Sequence, residues 1–168
     1  MTLRPWQTND IDDLIRYANN PRIAANLTNA FPNPYLKENG HAFIEMAISH
    51  QPTRIFAITH EDIAIGGIGL HLQTDVYARN AELGYWLAEP FWGKGIMSEA
   101  IHQITEYGFK TFDIDRIFAR PFGSNVGSQR ALEKNGFVLE AHLKNTFYKN
   151  EHYEDELIYA LRKKTSLA

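Results

Sequence analysis

The feature that most constrains this chain is a change of period around a pair of glycines. Ala81-Glu82-Leu83-Gly84-Tyr85-Trp86-Leu87-Ala88 reads as a strand rich in aromatic and apolar residues. After it, Met97, Ile101, Ile104, Gly108 and Phe112 recur at the spacing of one helix face. Between the two lies Pro90-Phe91-Trp92-Gly93-Lys94-Gly95-Ile96-Met97-Ser98. The pattern predicts a strand that hands over to a helix through Gly93-Lys94-Gly95. The first turn of a helix leaves about four backbone N–H groups without internal partners, and its dipole adds partial positive charge there. Glycine lets backbone approach a ligand with no Cβ in the way. A phosphate or pyrophosphate suits such a junction, and Lys94 is a candidate extra donor.

Two common phosphate patterns do not fit. The dinucleotide fingerprint needs a third glycine, where this chain has Ser98, and the P-loop ending Gly-Lys-Ser/Thr is absent. These absences disfavour a nucleotide-binding enzyme of another class. Gly66-Gly67-x-Gly69 has no helix after it, so it is predicted to be a twisted or bulged strand rather than a phosphate cradle.

The run Glu-Leu-Gly-Tyr-Trp-Leu followed by Phe-Trp-Gly-Lys-Gly resembles the acyl-CoA pyrophosphate loop of the GCN5-related N-acetyltransferases, in the branch that includes acetyltransferases of ribosomal-protein N-termini. The family's loop reads Gln/Arg-x-x-Gly-x-Gly/Ala. Pro90 stands at its first position here, as it often does in this branch. A second motif also resembles the family: Asn125-x-x-Ser128 continuing through Leu132-Glu133-Lys134-x-Gly136-Phe137. The two together cover about residues 80 to 140. The resemblance implies acetyl-CoA as cosubstrate, bound by Trp86, Leu87, Ala88, Trp92, Gly93, Lys94, Gly95, Ile96, Met97, Ser98, Asn125 and Ser128. Asn125 also reads as a plain helix N-cap, and Gly136 as a helix stop.

The reaction implied is acetyl transfer from a thioester to a primary amine. The amine must be neutral to attack. An alkylamine near pKa 10 therefore needs a general base more than a peptide α-amine near 8 does. Glu82, a carboxylate within an apolar strand, is the candidate base, with burial expected to raise its pKa; it reads equally as a charge at an exposed strand start. Backbone N–H groups around Leu87 and Ala88 are implied to stabilise the oxyanion. For the acid, many family members carry a tyrosine where this chain has Leu132, so Ser128 becomes the candidate donor to the leaving sulfur. Asp155 matches an acidic position of this branch. It is expected to touch the acceptor or to brace the preceding loop. With Tyr35 and Glu82 it makes the candidate acceptor site, and Phe31, Trp86, Phe147 and Tyr148 are candidate walls.

The rest of the chain alternates in type. Thr2 to Trp6 reads as a strand, and Thr8 or Asn9 as the cap of a helix carrying Ile11, Leu14, Ile15 and Ala18. Asn19-Asn20-Pro21 ends it. A short helical piece over residues 22–27 and a helix over 36–50 follow. Period-two segments at 55–59 and 63–72 read as a hairpin turned at His60-Glu61-Asp62. A strand over 115–120, a helix over 125–137, and strands at about 137–143 and 156–161 complete it. From pattern alone this is mixed α/β or α+β with one layered sheet. The resemblance sharpens that to one mostly antiparallel sheet with splayed central strands flanked by helices, in a single domain over residues 1–168.

Composition narrows the partners. Apolar residues are 44% of 168, as in folded chains, and the net charge of −3 argues against a nucleic-acid surface. There is no cysteine, hence no disulfide or thiolate ligand. Seven histidines make no zinc spacing, so no metal is expected. No leader-like apolar core and no run near the roughly 18 residues of a membrane span occurs. A cytoplasmic protein is expected, with an amine acceptor, no membrane partner, and a homodimer consistent with the fold. A peptide N-terminus, a polyamine, an amino acid and an antibiotic amine all remain open as acceptors. So does a non-catalytic acyl-CoA sensor that keeps Gly93, Gly95 and Asn125.

Overall fold

The computed structural model describes residues 1–164; the last four residues of the expected 1–168 domain lie outside the described residues. The strands are β1 (Thr2–Pro5), β2 (Ile55–His60), β3 (Ile63–Leu72), β4 (Asn80–Leu87), β5 (Arg116–Ala119), β6 (Val138–Lys149) and β7 (His152–Arg162). The helices are α1 (Ile11–Ala18), α2 (Pro21–Ala24), α3 (Lys37–Ile48), α4 (Ile96–Thr111) and α5 (Val126–Lys134). One sheet takes all seven strands in the order β1-β2-β3-β4-β5-β7-β6. Every neighbouring pair is antiparallel except β4–β5, which α4 connects as a crossover.

Side-chain alternation along β4 divides the core. Ala81, Leu83 and Leu87 join a cluster with Ile101, Ile104, Ile117 and Leu132 on the α4–α5 face. Trp86 points the other way, into a cluster with Trp6, Leu14, Tyr35 and Ile44 on the α1–α3 face. Successive strand residues must face opposite sides, so β4 feeds both clusters. Each fully buried Leu or Ile contributes about 1.5–3 kcal/mol by leaving water.

The glycine run of β3 lies inside a strand with an irregularity opposite Ile58 and Thr59, as the sequence predicts. A Cβ on Gly67 would stand 2.8 Å from the indole nitrogen of Trp86, so the missing side chain seats that ring on the sheet. The β2–β3 hairpin turns at Glu61 and Asp62, both at positive φ. The first helix starts later than expected. Thr8–Asp10 forms a 3-10 turn, and Asp10 accepts from the Gln7 N–H (2.8 Å) and from both ends of the Arg4 guanidinium (2.8 and 2.7 Å).

The largest difference from expectation is the last hairpin. β6 and β7 run 12 and 11 residues and turn at Asn150-Glu151, far beyond the segments at 137–143 and 156–161. Most of β6 is exposed on both faces, so no buried face imposed alternation on its sequence. No described helix is long and apolar enough to cross a membrane.

Candidate active site

The ladder between β4 and β5 is short. It pairs Asn80 with Arg116, Ala81 with Ile117 and Glu82 with Phe118, and then ends. β4 continues to Leu87, while the chain leaves β5 at Ala119 and is taken up by β7, where Gly123 N–H donates to Asp155 O and Leu157 N–H to Pro121 O. A gap therefore opens between the two central strands.

Strand parity decides which groups face that gap. Gln73 N–H donates to Asn80 O (3.0 Å) and Ala88 N–H to Ile65 O (2.8 Å). Even-numbered β4 residues thus turn their backbone to β3, and odd-numbered ones turn theirs away. The N–H groups of Tyr85 and Leu87 face the gap. This corrects one expectation: of the two oxyanion donors expected, Ala88 is already spent on β3, and Leu87 alone points inward.

At the mouth of the gap the chain makes a 3-10 turn over Glu89–Phe91 and enters α4 through the glycine pair. Gly93 and Gly95 sit at φ +72° and +77°, the left-handed region that favours glycine, and a Cβ on either would meet no protein atom within 4 Å. The loop is open outward. The N–H groups of Gly95, Ile96, Met97 and Ser98 lie in the first turn, where a helix provides no acceptor. Trp92 folds back and donates its indole N–H to Leu87 O (2.7 Å), which ties the loop to the end of β4. The Lys94 ammonium lies 5.4 Å from the centre of the Phe91 ring. Glu89 anchors the loop to α2, accepting from Asn20 Nδ2 (2.8 Å) and pairing with Arg22.

The second motif packs beside the first. Asn125 Oδ1 caps α5 by accepting the Ser128 N–H at 3.1 Å. At the other end of α5, Asn135 Nδ2 donates to Ser98 O (2.9 Å) and Ser98 Oγ (3.1 Å). The start of α4 and the end of α5 are thereby locked together. Leu132 is wholly buried in the core, so its position offers no polar group to the gap.

On the α1–α3 side of β4 stands Glu82. Its oxygens accept from Arg120 Nε (2.9 Å) and Nη2 (3.2 Å), and Arg120 Nη1 also lies 3.5 Å from buried Glu156. The bonds to Glu82, then the field of both carboxylates, raise the Arg120 pKa further and keep it charged. Glu82 is partly exposed and ion-paired, not sealed among apolar residues as one of its two readings has it. His71 is its direct cross-strand neighbour. On the same face Phe31 packs between Tyr35 (5.1 Å) and Trp86 (5.9 Å), and burial pushes the Tyr35 phenol up to about 12.

On the opposite side of the sheet, the Tyr85 hydroxyl reaches the Ser128 hydroxyl at 2.5 Å. Burial, partly offset by that bond, raises the Tyr85 phenol to about 12. Sequence reading missed both Arg120 and Tyr85. Arg120 is 38 residues from its partner and Tyr85 is 43 from its own, and only the β4–α4–β5 crossover brings them together.

Asp155 is not brought to Glu82. Strand alternation puts it on the opposite face of β7 from Glu156, where it accepts from Asn145 N–H (3.0 Å) and pairs with His142 Nε2 (2.7 Å). His142, then the Asn145 N–H, lowers the Asp155 pKa. Its backbone carbonyl accepts the Gly123 N–H (2.8 Å) and so braces the 121–123 connection. A cleft of about 410 Å³ opens here, between Ser124, Gln129, His142 and Asp155. Of the expected walls, Phe147 stacks on Phe122 (4.9 Å), and Tyr148 pairs with Tyr153 at the exposed hairpin tip. Lys149 binds the carbonyls of Ala24 and Leu27, so the hairpin tip is tied to the segment that carries Phe31.

Comparison with known proteins agrees with this geometry. Residues 1–138 match the family model described as "Acetyltransferase (GNAT) domain". The ribosomal-protein-serine acetyltransferase of Escherichia coli is 32% identical over 107 residues, 64% of this chain and 59% of that protein. That match spans less than two thirds of the relative. The spermidine N(1)-acetyltransferase of Vibrio cholerae is 25% identical over 98% of this chain and 94% of its own length. Among solved structures, the microcin C7 self-immunity acetyltransferase MccE, in complex with acetyl-CoA and AMP, superposes with a TM-score of 0.80 at 26% identity, over 96% of this chain and 92% of that one. The chain belongs to the GNAT family, the acetyl-CoA-dependent N-acetyltransferases.

Proposed function

We propose that this protein transfers the acetyl group of acetyl-CoA to a primary amine, and that the preferred acceptor is the α-amine of a peptide. One observation carries the placement: a gap between β4 and β5 has the open Gly93–Gly95 loop at its mouth, Glu82 on one side and Ser128 on the other. The N–H groups of the first turn of α4, with Lys94, hold the pyrophosphate. The pantetheine arm lies along β4, where the free edge of Tyr85 provides backbone partners, with Asn125 Nδ2 as a further donor. The amine enters from the Glu82 face and gives up its proton there as the C–N bond forms. The Leu87 N–H faces the oxyanion. The C–S bond then breaks, with Ser128 donating to the sulfur.

The acceptor follows from the proton load. A peptide α-amine, near pKa 8, is partly neutral at pH 7. It asks less of a carboxylate already engaged by a guanidinium than an alkylamine near 10 does. The similarity to a ribosomal-protein acetyltransferase supports the same choice. A polyamine is the second reading, supported by the near full-length similarity to a spermidine acetyltransferase. The working unit is a single domain, supported by one sheet that takes strands from both ends of the described chain.

The test is thiol release from acetyl-CoA with peptides that begin in Ser or Ala, and with spermidine, each beside a no-acceptor control. Peptide-dependent release supports the proposal. Release with spermidine alone moves the acceptor to the second reading. CoA binding without release by any amine points to an acyl-CoA sensor.

A further inference from the structure

The Tyr85–Ser128 contact joins β4, one edge of the gap, to the first turn of α5, and the proposed chemistry uses only one of its partners. Ser128 sits in the first turn of α5, with its N–H held by Asn125 Oδ1. Its hydroxyl can rotate, and rotation decides whether its proton points into the gap or away from it. Tyr85 side chain lies against the α4–α5 core cluster, and its hydroxyl reaches Ser128 Oγ at 2.5 Å. A phenol is a stronger hydrogen-bond donor than an aliphatic alcohol, being more acidic. The favoured arrangement therefore has Tyr85 donating and Ser128 Oγ accepting. With that lone pair filled, the Ser128 proton is left to a third partner, and the gap is where a new one arrives.

Resting on the placement of the thioester above, we propose that Tyr85 is a positioning residue for acetyl transfer: it donates to Ser128 Oγ and so orients the Ser128 hydroxyl as a donor towards the departing CoA sulfur. No proton needs to leave Tyr85. The C–S bond breaks, the electron pair goes to sulfur, and Ser128 O–H solvates the thiolate until it is released or protonated by water. The donor to sulfur is thus Ser128 on α5, and Tyr85 on β4 fixes its direction. Burial serves the same end, because the phenol keeps its proton up to about 12 and the donor direction stays fixed across the neutral range.

The experiment compares wild type, Tyr85→Phe, Ser128→Ala and the double variant by thiol release, with acetyl-CoA affinity measured by calorimetry. Tyr85→Phe lowers kcat about tenfold, the scale of one hydrogen bond. It leaves the acetyl-CoA Kd within about twofold, a bound set by the same scale. In the Ser128→Ala background the same substitution has no further effect. A second variant places a fluorinated tyrosine, of the same shape but with a more acidic phenol, at position 85. Ionisation then reverses the bond, since Ser128 must donate to the phenolate, and the alkaline fall of kcat moves to lower pH. Undiminished kcat in Tyr85→Phe beside a slow Ser128→Ala overturns the proposal, as do independent, multiplying effects or an unmoved alkaline limb. A fully active Ser128→Ala instead overturns the role of Ser128 in the proposed function, and an inactive wild type overturns that function itself.

Discussion

Glu82 and Arg120 meet side by side across the opening between β4 and β5, with carboxylate oxygens 2.9 and 3.2 Å from Nε and Nη2 of one guanidinium. Two planar groups held at two points have one relative orientation. The pair therefore aims the carboxylate as well as neutralising it, and Glu156 completes the guanidinium's surroundings from β7.

Glu82→Gln keeps the side-chain shape and removes the proton acceptor. We expect kcat to fall about a hundredfold or more, the scale of general-base catalysis, with the KM for acetyl-CoA nearly unchanged. Arg120→Leu keeps the base but frees its orientation, and is expected to cost about tenfold in kcat. Steady-state kinetics with saturating acceptor separates the two. Wild-type turnover in Glu82→Gln across pH 6 to 9 would remove Glu82 from the chemistry.

Gly93 offers a different separation. Its φ of +72° makes any β-branched residue strained there, by about 1–2 kcal/mol. A Cβ would meet no protein atom within 4 Å, so strain is the whole of the stability cost. The space a valine fills is the space assigned to the pyrophosphate. Gly93→Val is expected to lower Tm by a few degrees and to weaken CoA binding by more than tenfold in calorimetry. A variant that loses stability but binds CoA normally would show that the ligand lies elsewhere.

The strand-to-helix junction was legible because Gly93 and Gly95 punctuate two segments of different period, and such signals are local. The cap at Asn125 and the turn at Glu61-Asp62 were legible for the same reason. Other features depend on partners distant in sequence. That Ala88 spends its N–H on Ile65 follows from the β3–β4 register, which no local pattern carries. Asp155 and Glu156 are adjacent in sequence, yet alternation sends one to His142 and the other to Arg120. The length of β6 stayed hidden because an exposed edge strand needs no alternation. Tyr85 read as one more aromatic of an apolar strand, and only its approach to Ser128 distinguishes it.

Asn125 carries two roles that one pair of substitutions separates. Its Oδ1 caps α5, and its Nδ2 is free to donate to the pantetheine arm. Asn125→Ala removes both and is expected to cost about 1 kcal/mol of stability together with CoA affinity. Asn125→Asp keeps an equally good cap but loses the donor. It should match wild type in denaturant unfolding while binding CoA more weakly. Equal CoA affinity in Asn125→Asp and wild type would reduce Asn125 to a cap.

Three phenols predict the alkaline limit of the fold. Tyr35, Tyr85 and Tyr159 are each raised from 10 to about 12, by burial first and, at Tyr159, also by its bond to Glu133. In the unfolded chain they ionise near 10, while in the folded chain they stay neutral. A raised pKa contributes stability that is fully present below the unfolded value and is lost as pH rises through the folded one. Stability should therefore hold up to about pH 10 on their account and fall between about 10 and 12. The check is tyrosinate absorbance followed through an alkaline titration, with thermal unfolding at each pH. Three phenols should ionise late, together with the loss of folded structure. Tyr85→Phe should make the alkaline fall in Tm shallower, because one of the three groups that drive it is gone. If the fall is as steep in Tyr85→Phe as in wild type, Tyr85 is not held neutral by burial, and the fixed donor direction assigned to it loses its physical basis.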